Sequence, residues 1–77
     1  MTNYKLYYMP ECPFCKKVES VIKKYNVDIP LANIHEDENR SELEEKGGMV
    51  QVPALLIDDK VLYESSDIVK YIKEHLI

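Results

Sequence analysis

The sequence is short of the residues that most function classes require. Cysteine and histidine each occur twice. A structural zinc site usually takes four protein ligands, and here one cysteine pair is joined only by the isolated His35 and His75, so no metal is expected. Basic residues are outnumbered ten to fourteen, for a net charge of −4. A nucleic-acid partner therefore has no electrostatic support. No apolar run approaches the roughly 20 residues of a membrane span, so no membrane partner is expected. Met1-Thr2-Asn3-Tyr4-Lys5 lacks the apolar core and cleavage site of a secretory leader. A cytoplasmic, reducing compartment is the resulting expectation, and there a cysteine pair is more often catalytic than structural. Seventy-seven residues make one domain, 1–77, near the size where a single core is only just sufficient. A 45% hydrophobic and 31% charged composition fits a globular domain with its own core, expected to act as a monomer.

What is present is organised around Cys12-Pro13-Phe14-Cys15. Tyr4-Lys5-Leu6-Tyr7-Tyr8 before it reads as a strand, about Asn3 to Tyr8. Val18, Val21, Ile22 and Tyr25 after it fall at i, i+3, i+4 and i+7, one apolar face of a helix. That helix runs from about Pro13 to Tyr25, with Asn26 as an αL-tolerant terminator. Cys12 thus lies at a helix N-terminus, where unpaired N–H groups and the helix dipole favour a thiolate anion. The dipole contributes about 0.3–1 kcal/mol, so hydrogen bonds and nearby cations must add to it. Lys16, four residues on, shares the helical face of Cys12. Pro13 suits the first turn, since its missing N–H costs nothing there. Cys12 is expected to be the exposed nucleophile, and Cys15, one turn in, the more enclosed resolving thiol. A Cys-x-x-Cys beside a βαβ pattern is the signature of a redox site.

Leu31-Ala32-Asn33-Ile34 is a weak strand, entered through Pro30, and His35 follows as a loop or edge residue. The acidic cluster Glu36-Asp37-Glu38-Asn39 opens a second helix, where carboxylates complement the dipole. This helix, about Asn39 to Lys46, has Leu43 as its only large apolar residue and ends at Gly47-Gly48. Ala54-Leu55-Leu56-Ile57 is a continuous apolar run, as for a strand covered on both faces. Asp58-Asp59 turns it into Lys60-Val61-Leu62-Tyr63, a hairpin partner. Glu64-Ser65-Ser66-Asp67 offers caps for a last helix whose buried stripe is Ile68, Val69, Ile72 and Leu76. The order is β-α-β-α-β-β-α.

These residues together resemble the glutaredoxin family of the thioredoxin fold, and the resemblance spans essentially the whole chain. Cys-Pro-Phe-Cys is similar to the family's Cys-Pro-Tyr-Cys. Val52-Pro53, entering an apolar strand, looks like its Val-Pro step with a cis proline. Tyr63-Glu64-Ser65-Ser66-Asp67 looks more like the Glu-Ser element of glutathione-transferase N-terminal domains. The nearest match is to transferase-like glutaredoxins, here without their C-terminal helical domain. Met9 stands where many glutaredoxins carry a lysine, and Gln51 where threonine is usual.

The resemblance implies an α/β fold with a four-stranded mixed sheet in the order 2-1-3-4, flanked by three helices. It implies a glutathione-dependent dithiol oxidoreductase acting on disulfide proteins and protein–glutathione mixed disulfides. Glutathione would be the reducing co-substrate, and no cofactor would be bound. Cys12 and Cys15 would be catalytic, supported by Pro13, Phe14, Lys16 and Pro53. Tyr8, Gln51, Val52, Pro53, Glu64, Ser65 and Ser66 would form the glutathione site, with Ser65 and Ser66 on the γ-glutamyl carboxylate and Tyr8 and Phe14 as an apolar rim. Three other readings of the same residues are a small donor fed by thioredoxin reductase, a glutathione-bridged iron–sulfur carrier, and a non-catalytic transferase-like binding module, which Cys15 argues against. Pro13 argues against the carrier, since cluster-holding relatives usually lack it.

Overall fold

The computed structural model describes residues 3–77. Met1 and Thr2, part of the N-terminus read above as leaderless, lie outside the described residues. Strand β1 is Tyr4–Tyr8 and helix α1 Pro13–Lys24. Strand β2, Leu31–Asn33, leads to helix α2, Asp37–Gly47. Strands β3, Ala54–Ile57, and β4, Lys60–Leu62, precede helix α3, Ser65–His75. The element order and the sheet order β2-β1-β3-β4 are those expected. β1 runs parallel to β2, pairing Leu6 with Leu31, because the crossover through α1 returns the chain in the same direction. It runs antiparallel to β3, pairing Leu6 with Leu55 and Tyr7 with Ala54.

Side chains alternate across a strand, and both sheet faces are covered. Leu6 and Leu55 join Val18, Ile22, Ile29, Ile68 and Ile72 on the face under α1 and α3. Tyr7, Ala54 and Leu56 join Ala32 and Leu43 on the face under α2. This explains the unbroken apolar run of β3. The stripe expected for α3 packs as read, with Ile68 and Ile72 buried and Val69 and Leu76 beside them.

Turns end where a left-handed residue is tolerated. Asn26 (φ 54°) follows α1, Asp58 (φ 55°) turns the hairpin, and Gly48 (φ 82°) caps α2. Helix α2 starts two residues earlier than expected, inside the acidic cluster, with Asp37 and Glu38 in its first turn. At α3 the expected capping does not occur. Glu64 is the N-cap residue and makes no side-chain capping hydrogen bond, while Ser65 is already helical.

Candidate active site at the start of the first helix

The loop after β1 delivers Cys12 to the N-cap of α1, and Pro13 takes the first helical position. The Cys15 backbone N–H donates to the Cys12 Sγ at 3.2 Å. A sulfur that caps a helix receives one of its otherwise unsatisfied backbone donors. The Cys12 thiol also points at the Val52 carbonyl, 4.0 Å away. The Val52–Pro53 peptide bond is cis, as the resemblance implied. Both thiols are free.

The expected exposure of Cys12 needs correcting. Cys12 is only 8% exposed, because its sulfur turns inward to cap the helix, although it remains more accessible than Cys15 at 0%. Burial, helped by hydrogen bonding to Cys12 and by the charge there and on Glu19, pushes the Cys15 thiol up from 9.0 to about 12. A Met9 backbone hydrogen bond opposes this only in part. Cys15 is therefore a protonated thiol at neutral pH.

Beside Cys12 lies a cleft of about 170 Å³ lined by Phe14, Gln51, Val52, Pro53, Tyr63, Glu64 and Ser65. It gathers five of the seven residues expected at a glutathione site. Tyr8 and Ser66 are not in its lining. Tyr8 is half-buried within β1, and Ser66 lies exposed one residue into α3. Lys16 is also elsewhere. It lines a separate groove with Glu19, Ser20, Ile22, Lys23 and Leu31, because its long side chain extends along the outer face of α1. Phe14 is 61% exposed and forms an apolar rim.

Two residues around the site were missed from sequence. Tyr63 lines the cleft from the end of β4. Arg40, the chain's single arginine, lines a second cleft of about 430 Å³ on the other side of Gln51 and Val52, with Met9, Ile34, His35 and Val50. Glu11 pairs with His35 at 2.6 Å. This hydrogen bond holds the Glu11 carboxyl below its ordinary value of 4.5. Arg40 and Tyr63 lie far from Cys12 in sequence, and no spacing rule connects them. Among the described residues no cluster of three or more potential metal ligands occurs. No helix among the described residues is long and apolar enough to cross a membrane.

Residues 6–75 match the family described as glutathione S-transferase, N-terminal domain. A glutaredoxin-like 8.6 kDa protein encoded in the rubredoxin operon of Clostridium pasteurianum is 30% identical over 73 residues, covering 91% of this chain and 97% of that one. A probable thioredoxin of Archaeoglobus fulgidus is 40% identical over 65 residues, covering 80% and 71%. The crystal structure of a point variant of a thioredoxin-like protein superposes with a TM-score of 0.82 at 21% identity, covering 97% of this chain and all of that one. That likeness shows the fold.

Proposed function

The chain belongs to the glutathione S-transferase N-terminal domain family, as a glutaredoxin-like member of the thioredoxin fold, and on that premise we propose that it is a glutathione-dependent dithiol oxidoreductase. The observation that carries the reading is the position of the Cys12 sulfur. It caps α1, accepts from the Cys15 N–H and faces the carbonyl of Val52, a residue that lines the cleft ending at Glu64 and Ser65.

With a glutathionylated protein, the Cys12 thiolate attacks the glutathione sulfur. The protein thiolate leaves and takes up a proton, and Cys12 carries the glutathionyl group. A second glutathione thiolate attacks that group, releasing oxidised glutathione and the Cys12 thiolate. With a protein disulfide, Cys12 joins one substrate sulfur and the other leaves. Cys15 then loses its proton and attacks Cys12, freeing the second substrate thiol and leaving a Cys12–Cys15 disulfide. Two glutathione molecules reduce this in turn and leave as oxidised glutathione. Two of the effects that raise the Cys15 thiol come from Cys12 itself. Both weaken once Cys12 is tied up in a mixed disulfide, so Cys15 becomes easier to ionise when it is needed.

In this reading the Val52 main chain pairs with the cysteinyl part of glutathione. Helix α3 offers its first-turn N–H groups and the Ser65 hydroxyl to the γ-glutamyl carboxylate, and Glu64 takes the amino group. Arg40, always charged, receives the glycyl carboxylate across Gln51 and Val52. The reducing cytoplasm is the compartment that keeps this chemistry turning over.

The test is turnover of a glutathionylated peptide with glutathione, glutathione reductase and NADPH, beside a parallel assay with thioredoxin reductase. The proposal requires turnover in the first. The 40% identity to a probable thioredoxin favours one other reading, a thioredoxin-type donor. Turnover in the second assay alone would establish that reading and overturn ours.

A further inference from the structure

The segment Met49 to Pro53, which presents the Val52 carbonyl to Cys12, lies outside every helix and strand. Among the described residues, no backbone–backbone hydrogen bond outside the regular elements involves any of these five residues. Side chains hold the segment instead. Val50 and Val52 pack on the α2-side core, and the Cys12 thiol meets the Val52 carbonyl. The third tether is Tyr63, whose hydroxyl donates to the Met49 carbonyl at 3.0 Å. Its side chain also packs on the α2-side core and lines the cleft beside Glu64 and Ser65.

The tyrosine reaches Met49 by crossing the end of α2. A Cβ on Gly47 would stand 1.9 Å from the Tyr63 hydroxyl oxygen and 2.9 Å from its Cζ. Gly48, not Gly47, carries the positive φ of the helix end. The missing side chain at Gly47 therefore answers to space rather than to backbone conformation.

We infer that Tyr63 is a positioning residue for the glutathione cleft: its hydroxyl fixes the Met49–Pro53 segment, and Gly47 leaves the room it needs. The inference rests on the proposed reading of the cleft. Tyr63 need not touch the reacting sulfurs. It sets where the Val52 main chain stands when a glutathionyl group enters.

Tyr63→Phe removes the hydroxyl and keeps the ring. One lost hydrogen bond corresponds to roughly a 2- to 10-fold change in an equilibrium. The expected result is a KM for glutathionylated peptide raised by about that factor, with kcat and the rate of Cys12 alkylation by iodoacetamide unchanged. A merely structural defect would move all three. Gly47→Ala should raise KM at least as much in the wild-type background and clearly less in a Tyr63→Leu background, where the hydroxyl and Cζ are gone and only the 3.2 Å approach to the Val61 Cβ remains. Backbone amide order parameters of Val50, Gln51 and Val52 from NMR relaxation give a readout independent of activity, and should fall in Tyr63→Phe. Wild-type protein without glutathione-dependent turnover would overturn the proposed function, and lowered order parameters would still support the tether. Unchanged order parameters in Tyr63→Phe, unchanged KM in a wild-type-active series, or an equal cost of Gly47→Ala in both backgrounds would each overturn the role of Tyr63.

Discussion

Replacing Cys15 by serine should separate two activities, and the structure sets the size of the effect. In the resting protein a thiol raised to about 12 is ionised at pH 7 to roughly one part in 10⁵, since each pKa unit is a factor of ten. That suggests a poor nucleophile, but it is a lower bound for the mixed disulfide, where Cys12 no longer holds the thiol up, and Cys15 is already in place. Oriented intramolecular groups act at about 10⁵ M or more, so the small thiolate fraction still counts as roughly 1 M. Free glutathione at about 1 mM, with an ordinary thiol pKa of about 8.5, supplies roughly 3 × 10⁻⁵ M thiolate. Cys15 therefore leads by about 10⁴-fold, and a thousandfold loss through misalignment would still leave about tenfold. The higher intrinsic nucleophilicity of a basic thiolate adds to this.

Cys15→Ser should thus lose at least roughly tenfold in reducing a disulfide protein, while keeping most of its rate on a glutathionylated peptide, where glutathione itself resolves the adduct. Both rates are measured under one glutathione concentration, with Cys12→Ser as the inactive control. Equal loss of both activities would refute the assignment of Cys15 as a resolving thiol. Retention of protein-disulfide reduction would refute the proximity argument. Activity in Cys12→Ser would mean the two roles are reversed.

Two further outcomes concern stability. Buried Cys15 is raised from 9.0 to about 12, and Tyr71 from 10.0 to about 12 through its hydrogen bond to Tyr4. Each holds its proton more tightly when folded, so the unfolded chain binds fewer protons and stability falls as pH rises. The contribution is fully present below pH 9.0 and lost towards about 12. Urea midpoints measured against pH should decline across this window, and in Cys15→Ser the decline should begin only near 10.0, where Tyr7 and Tyr71 start to titrate in the unfolded chain. Leu43 is fully buried and is the one buried residue of α2. Leu43→Ala should cost about 2–5 kcal/mol in urea unfolding, and a loss below about 1 kcal/mol would show that α2 is held mainly by its ion pairs to the sheet and hairpin, Lys5–Glu42 at 2.8 Å and Lys46–Asp59 at 3.2 Å.

Much of this protein was determined locally. The Cys12–Cys15 spacing, the helical period from Val18 to Tyr25, the apolar run of β3 and the Asp58-Asp59 turn are short-range patterns. Each restricts backbone or burial within a few residues, so the element order could be read before any contact was known. The extent of α2 was less legible, because a helix with one buried side chain leaves almost no period, and its acidic first turn only marks a start.

Tertiary structure decided what distant segments do to one another. It turned the Cys12 sulfur inward as a helix cap and buried Cys15 enough to move its titration. It sent Lys16 to another groove, left Tyr8 and Ser66 outside the cleft, brought Tyr63 into it and set Arg40 in a second cleft that shares Gln51 and Val52 with it. These outcomes depend on where side chains end after packing, with partners tens of residues away. Gly47 shows the division plainly. The sequence marks Gly47-Gly48 as a helix terminus, and Gly48 serves as one through its positive φ. That Gly47 must lack a side chain follows from a tyrosine sixteen residues later, whose hydroxyl occupies the space a Cβ would need.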